Sequence, residues 1–399
     1  MSSGSDGKVV KAFEPPWIRP DRATTPWTDL PDPETLRVVL LSDAIPSRNG
    51  VGTYYDDLAD HLRDRVEHVT LLCPPADPEA EFHGLAMTMP GDPTQKLYWP
   101  SPWTLFHQIK EIHPHVIVSG TPGGFGVLGL LFAALFRAAF CVGFHTELES
   151  LASLYWTGRL SRIYKHVLGF WDRMVLRFGS RVLVMNEALR DNALAWGVKD
   201  PKVMGTPVQK TFLQRPLAPL SAEISTVTYV GRLAPEKELT QVLDAARALP
   251  ALRFRLAGDG PMREEVEGWA AELPNLEYVG WITRDQVIDL LDDTELLVLP
   301  SRFETFGTVA FEAMVRGRLV LVSANCGIVH WPDLAPGLFQ MAPGETLEQA
   351  IPRLLALGPQ ERASVARAGR EAARASARET VEEWIDVLRH AVLEQLPRG

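Results

Sequence analysis

A chain of 399 residues, 46% hydrophobic and 23% charged, has the size and make-up of a soluble globular protein of two or three domains. Its formal net charge of -10 argues against a general nucleic-acid binder, although local basic patches stay open. The three cysteines, Cys73, Cys141 and Cys326, form no CxxC pair and are odd in number, which points to reduced thiols and a cytoplasmic setting.

The stretch from Met1 to Val10 is polar and lacks an apolar core, so no secretory signal is expected. Residues 1–35 carry Pro15, Pro16, Pro20, Pro26, Pro31 and Pro33, a density that disfavours helix and sheet alike and reads as a tail. Trp17 and Trp27 leave open whether that tail docks on the body. From Leu36 onward, short runs rich in β-branched residues alternate with helical patterns. Strands are predicted at 37–41, 68–73, 116–119, 140–144 and 182–185, and again at 226–230, 253–257, 276–279, 296–299 and 319–323. The apolar stretch from Val127 to Phe144 is broken by Arg137 and reads as a helix followed by a strand, not a membrane span. This rhythm predicts an α/β protein with parallel sheets covered on both faces. The expected organisation is a domain over 36–212, a linker over 213–225, a second domain over 226–375 and a closing helix over 376–399. Two doubly wound, Rossmann-like domains facing across a cleft place the strand C-termini of both at one shared site.

Ser301 to Met314 is the most informative segment. Glu304 falls in a loop after the apolar run Leu296–Leu299, and Glu312 falls in the helix that begins near Gly307. A strand–loop–helix element presents backbone N–H groups and the positive end of a helix, where a diphosphate settles. Glu304 and Glu312 can then reach hydroxyls attached to that anion, one on a sugar and one on a ribose. Val230-Gly231-Arg232-Leu233-Ala234-Pro235-Glu236-Lys237 follows the first strand of the second domain. Arg232, with a forked guanidinium, and Lys237, with a point charge, can stabilise a departing diphosphate without a metal. Asn49-Gly50-Val51-Gly52-Thr53-Tyr54-Tyr55 follows the first strand of all. Tyr55 stands where a dinucleotide fingerprint needs its third glycine, so a nicotinamide cofactor is disfavoured and a tight turn or a phosphate contact remains. His145 ends an apolar strand and is expected to face the cleft. Gly258-Asp259-Gly260-Pro261 reads equally well as architecture or ligand contact. In residues 159–181 apolar side chains recur at helical spacing with Arg162, His166, Arg173, Arg177 and Arg181 largely on another face. That helix fits an anionic bilayer surface, or simply packs its apolar face on the core.

With these residues in place, the chain resembles the retaining glycosyltransferases of family 4, which have the GT-B fold. The resemblance runs from about Leu36 to the last helix and rests on Gly52, His145, the Gly231–Lys237 segment, and the two glutamates Glu304 and Glu312. It implies that Arg232 and Lys237 hold the donor diphosphate and that Glu304, with the amides of Phe306 and Gly307, contacts the donor sugar. It also implies that Glu312 binds ribose and that Gly52 lines the phosphates from the other domain. His145, Glu304, Arg232 and Lys237 are the residues expected to carry the chemistry. No cofactor and no metal are expected, only a nucleoside-diphosphate sugar as donor. The acceptor is expected to be a membrane lipid or a glycan, on the inner face of the cytoplasmic membrane if residues 159–181 dock there. Phe144-His145-Thr146-Glu147 and the basic helix look most like members acting on membrane lipids, including sulfoquinovosyl- and glycosyl-diacylglycerol synthases. Gly205-Thr206-Pro207-Val208-Gln209 and Cys326-Gly327 depart from the family's usual pattern. An epimerase or phosphorylase on the same architecture, or a non-catalytic subunit binding sugar nucleotide or membrane, remain the alternatives.

Overall fold

The computed structural model describes residues 29–46, 50–75, 80–89, 92–145 and 161–395. Most of the proline-rich tail, Asn49, and the segment 146–160 with Thr146 and Glu147 lie outside these.

The first sheet is built from β1 (Arg37–Leu41), β2 (His68–Leu72), β5 (Val116–Ser119), β6 (Ala139–Phe144), β7 (Arg181–Val184) and β8 (Lys202–Val203). Its order is β2-β1-β5-β6-β7-β8, all parallel. Helices α1 (Gly50–Leu62), α2 (Pro102–Ile112), α3 (Gly124–Phe136), α4 (Ser161–Phe178) and α5 (Glu187–Ala195) belong to this half. A short α6 (Lys210–Gln214) leads to the second sheet. There β9 (Thr226–Val230), β10 (Arg253–Ala257), β11 (Leu276–Gly280), β12 (Leu296–Leu299), β13 (Leu319–Val322) and β14 (Phe339–Gln340) take the order β11-β10-β9-β12-β13-β14. The intervening helices are α7 (Thr240–Ala248), α8 (Arg263–Glu272), α9 (Arg284–Asp292), α10 (Thr308–Val315) and α11 (Leu347–Leu355). The central strands β5, β6, β9, β12 and β13 are buried at every position, because helices cover both faces. The two predicted parallel-sheet domains are thus both present.

In each sheet the strand order reverses once, between β1 and β5 and between β9 and β12. An open parallel sheet has its crevice at that point, because the loops leaving the two strands diverge to opposite faces. The loops that carry Arg232, Lys237 and Glu304 leave from β9 and β12, at this reversal.

The apolar stretch after Val127 resolves into α3 and β6. Arg137 ends the helix in the left-handed region at φ 55°, with its N–H bonded to the Ala133 carbonyl. The strand pattern read from sequence misses the two-residue edge strands β8 and β14 and an antiparallel hairpin of β3 (Gly84–Met89) and β4 (Asp92–Pro100). Leu85 pairs with Trp99 and Met87 with Leu97, so the four share one face, and all are exposed, Leu85 by 68%. The hairpin lies against the start of α3, where a Cβ on Gly124 would stand 2.9 Å from the Trp99 ring.

The connection after α6 is strapped to the second sheet. Arg316, fully buried, forks onto Asp292 and donates to the carbonyls of Phe212, Arg215 and Pro216. Buried arginine is tolerated here because its donors are satisfied by a carboxylate and carbonyls together. The last helix, α12 (Pro359–Glu394), runs the length of both halves. Its first part packs on α10, with Arg362 donating to Ala222 O. Its last part reaches the first half, where Trp384 Nε1 donates to Tyr54 Oη at 2.8 Å and Arg65 forks onto Glu382.

Candidate functional site

The loop after β9 holds Arg232 and Lys237. Gly231 N–H bonds to the Ala257 carbonyl, Leu233 N–H to that of Asp259, and Met262 N–H to that of Leu233. A Cβ on Gly258 would stand 1.8 Å from the Gly231 carbonyl oxygen, so the Gly258–Pro261 turn is architecture: it props the Arg232 loop from behind. The loop after β12 holds Glu304. Gly327 N–H bonds to Glu304 O at 2.9 Å and Ile328 N–H to Phe306 O at 2.8 Å. A Cβ on Gly327 would stand 1.9 Å from Thr305 O, which explains glycine there. Cys326 beside it is buried, and burial pushes its thiol up to about 12, so it is an inert packing group under Gly307.

The two loops meet at the reversal point of the second sheet. Arg302 N–H bonds to Glu236 O, and Lys237 Nζ lies 2.5 Å from Glu304 Oε2. Arg232 pairs with Glu236 at 2.9 Å. Two cations and two carboxylates, each one-fifth exposed or less at the side chain for the cations, thus form one compact cluster. Phe306 is buried, and Gly307 at φ 96° opens α10 with the left-handed turn that only glycine adopts without strain. The first turn of α10, whose N–H groups have no partner within the helix, follows directly on the Glu304 loop.

The first half contributes from across the cleft. A Cβ on Gly50 would be 3.9 Å from Thr308 Oγ1, so the start of α1 faces the start of α10. Gly52 is also required by packing within the first half. A Cβ on it would sit 2.1 Å from Ile45 O, so glycine lets the loop after β1 fold onto the first turn of α1. Asn186, the N-cap of α5, accepts from Leu189 N–H and donates through Nδ2 to Thr305 O at 3.0 Å. Sequence reasoning passed over this asparagine, which holds the Glu304 loop from the opposite half.

Glu312 lies deeper, 2% exposed. Its carboxylate is paired with Arg284, the first residue of α9, and the same guanidinium reaches Asp57 of α1 at 3.0 Å. Two ionised carboxylates around one buried arginine would leave an excess negative charge; burial pushes Asp57 up to about 8 against the pull of Arg284, so at neutral pH Asp57 is largely protonated and accepts a hydrogen bond from the guanidinium. Neither Arg284 nor Asp57 carries a signal in the sequence.

His145 follows directly on β6 but is nearly enclosed. Its Nε2 lies 3.0 Å from Tyr55 Oη, and Tyr54 meets its ring edge-on at 4.7 Å. Burial drives its pKa down to about 3, so it is neutral at physiological pH. The unfolded chain has an ordinary histidine near 6.5 and binds the proton first. Stability is therefore complete above about pH 6.5 and declines as pH falls towards 3, by about 1.4 kcal/mol per pH unit from this group. In His145→Gln that slope should vanish, narrowing the gap in urea midpoint between the two proteins on acidification. Parallel pH profiles would show that His145 is not buried neutral.

Two parallel-sheet halves facing across a cleft, with a cation–carboxylate cluster and a helix start at the reversal point, form the GT-B architecture. The matches with known proteins agree. Residues 48–207 match the family model of glycosyltransferase family 4, and residues 219–371 that of the glycosyl transferases group 1. The chain belongs with the family 4 type of GT-B glycosyltransferases. It is 23% identical over 343 residues to a sulfoquinovosyl transferase of Arabidopsis thaliana, covering 80% of this chain and 66% of that one. With a 2-deoxystreptamine N-acetyl-D-glucosaminyltransferase of Streptomyces fradiae it shares 27% identity over 223 residues, half of this chain and 52% of that one. The chain thus spans less than two thirds of the length of these relatives. Among solved structures, the sucrose-phosphate synthase of Thermosynechococcus elongatus superposes with a TM-score of 0.68 at 18% identity, over 89% of this chain and 98% of that one. HepE of Anabaena, solved with UDP and glucose, gives 0.64 at 17%, over 88% and 99%.

Proposed function

We propose that the protein moves a hexosyl-type sugar from a nucleoside diphosphate to an acceptor hydroxyl, with retention and without a divalent metal. The observation that carries this is the Lys237–Glu304 pair at the crossing of two loops beside the start of α10. The diphosphate takes the place between Arg232, Lys237 and the N–H groups of α10. The sugar lies against Glu304 and the amides of Phe306 and Gly307, and Glu312 meets the ribose hydroxyls. The bond between the anomeric carbon and the β-phosphate oxygen breaks. The acceptor oxygen adds to the same face, and its proton passes to the departing phosphate. Cationic groups fixed beforehand in a half-buried cluster stabilise that leaving charge without reorganising. His145, neutral and tied to Tyr55, acts as a hydrogen-bonding group near the acceptor and not as an acid.

The test is thermal unfolding with a panel of nucleoside-diphosphate sugars. A donor at about a hundred times its dissociation constant should stabilise by about 2.7 kcal/mol, a shift of several degrees. No shift with any donor overturns the reading.

For the acceptor we propose a membrane lipid, reached from the cytoplasmic side. No helix among the described residues is long and apolar enough to cross a membrane. The exposed Leu85–Met87–Leu97–Trp99 face of the hairpin, with Trp103 72% exposed beside it in the chain, supports this reading. In α4, Val175 and Leu176 turn to the core while Phe170 and Phe178 are exposed. The protein should sediment with anionic vesicles at low salt and less at high salt, and Met87→Lys should weaken that binding. A protein left in the supernatant at low salt turns the acceptor reading to a glycan.

A further inference from the structure

Arg284 occupies a place that local rules disfavour. It is the first residue of α9, whose capping box of Thr283 and Gln286 is complete without it. A cation at a helix N-terminus opposes the helix dipole. Its side chain is 15% exposed, and its guanidinium lies 4.9 Å from the Phe212 ring centroid. The compensation comes from two carboxylates far away in sequence: Glu312 in α10, and Asp57 in α1 of the other half. A residue kept against its local preference by contacts with a binding carboxylate marks a functional constraint.

We propose that Arg284 is the positioning residue of the ribose subsite: it aims the Glu312 carboxylate and, through Asp57, makes that aim depend on the N-terminal half being in place. This rests on the reading of Glu312 as the ribose contact. The physical reasoning is direct. A glutamate side chain has three rotatable bonds, and a bond to a fixed guanidinium selects one arrangement and leaves the remaining lone pairs for the ribose hydroxyls. The guanidinium is itself fixed from three sides, by Asp57, Glu312 and the Phe212 ring on the connection between the halves. Donor recognition and the angle between the halves then share one side chain.

The experiment compares affinities for UDP and 2′-deoxy-UDP, and for the GDP and ADP pairs, by calorimetry on the full chain. The parent should prefer the ribonucleotide by about tenfold or more, the worth of a hydrogen bond to a charged group. Glu312→Gln should remove most of that preference. Arg284→Gln should lower it at least about threefold while the affinity for the 2′-deoxy form changes little. Asp57→Ala, which leaves the Arg284–Glu312 pair standing, should lower it in the same direction by less, and carries the test if Arg284→Gln does not fold. If Glu312→Gln keeps the preference, the ribose reading itself is wrong. If Glu312→Gln loses it but Arg284→Gln and Asp57→Ala keep it, that reading stands and the positioning role is overturned. Equal loss for both nucleotides also overturns it, because a general structural defect does not distinguish a 2′-hydroxyl.

Discussion

Replacing Lys237 by alanine is expected to lower kcat/KM for sugar transfer by about 10²- to 10³-fold, the usual cost of removing a preorganised group that meets charge developing in the transition state. The ammonium is 16% exposed and touches Glu304, so its loss acts twice. The departing diphosphate loses a counter-charge, and the Glu304 carboxylate loses the partner that orients it. Because the diphosphate is already charged in the ground state, KM should rise as kcat falls. Initial rates at varied donor concentration separate the two. The loops should survive the change, since they are joined independently by the Arg302 N–H bond to the Glu236 carbonyl and by the turn at Gly258. Kinetics indistinguishable from the parent would make Lys237 a surface charge.

Glu304→Gln is expected to cut kcat by about tenfold or more while nucleoside diphosphate still binds. Glutamine has the same shape, and the segment around it is held through backbone. Glu304 O accepts from Gly327 N–H, Phe306 O from Ile328 N–H, and Thr305 O from Asn186 across the cleft. What changes is charge: the acceptor of the Lys237 ammonium and of the donor-sugar hydroxyl becomes a neutral amide. Binding of the nucleotide part depends on other groups and should move little. Titration calorimetry beside single-turnover rates makes the comparison. Turnover like that of the parent would remove Glu304 from the mechanism.

Much of this was legible in the sequence because buried parallel strands write themselves as continuous apolar runs. β6, β12 and β13 are such runs, and each falls where the pattern puts it. The motifs around Gly231 and Glu304 were legible for a related reason. The turns after parallel strands are short and need glycine at fixed places, so the charged residues that follow stand at predictable offsets. The β3–β4 hairpin was not legible, because its apolar residues face outward and alternate with polar ones, as a half-buried strand's would, without a core behind them. Arg284 and Asp57 were invisible for another reason. They stand 227 positions apart, and nothing local announces that an arginine at a helix start will be claimed by carboxylates from two other helices. His145 shows the converse. Its place at a strand end is readable, but in the sequence the two tyrosines that enclose it stand about 90 positions away, at the end of a glycine loop.

The long helix α12 has a consequence for how the molecule is made. Trp384 fills the space beside Tyr54, and Gln395 donates to the Ala138 carbonyl, so the first half is finished by a helix synthesised after both sheets. Domains usually fold as units while the ribosome is still at work, the N-terminal one first. Here the N-terminal sheet emerges early with part of its hydrophobic covering still untranslated, and must wait with apolar surface exposed. The two halves then reach their final packing in one late step, once α12 has been made.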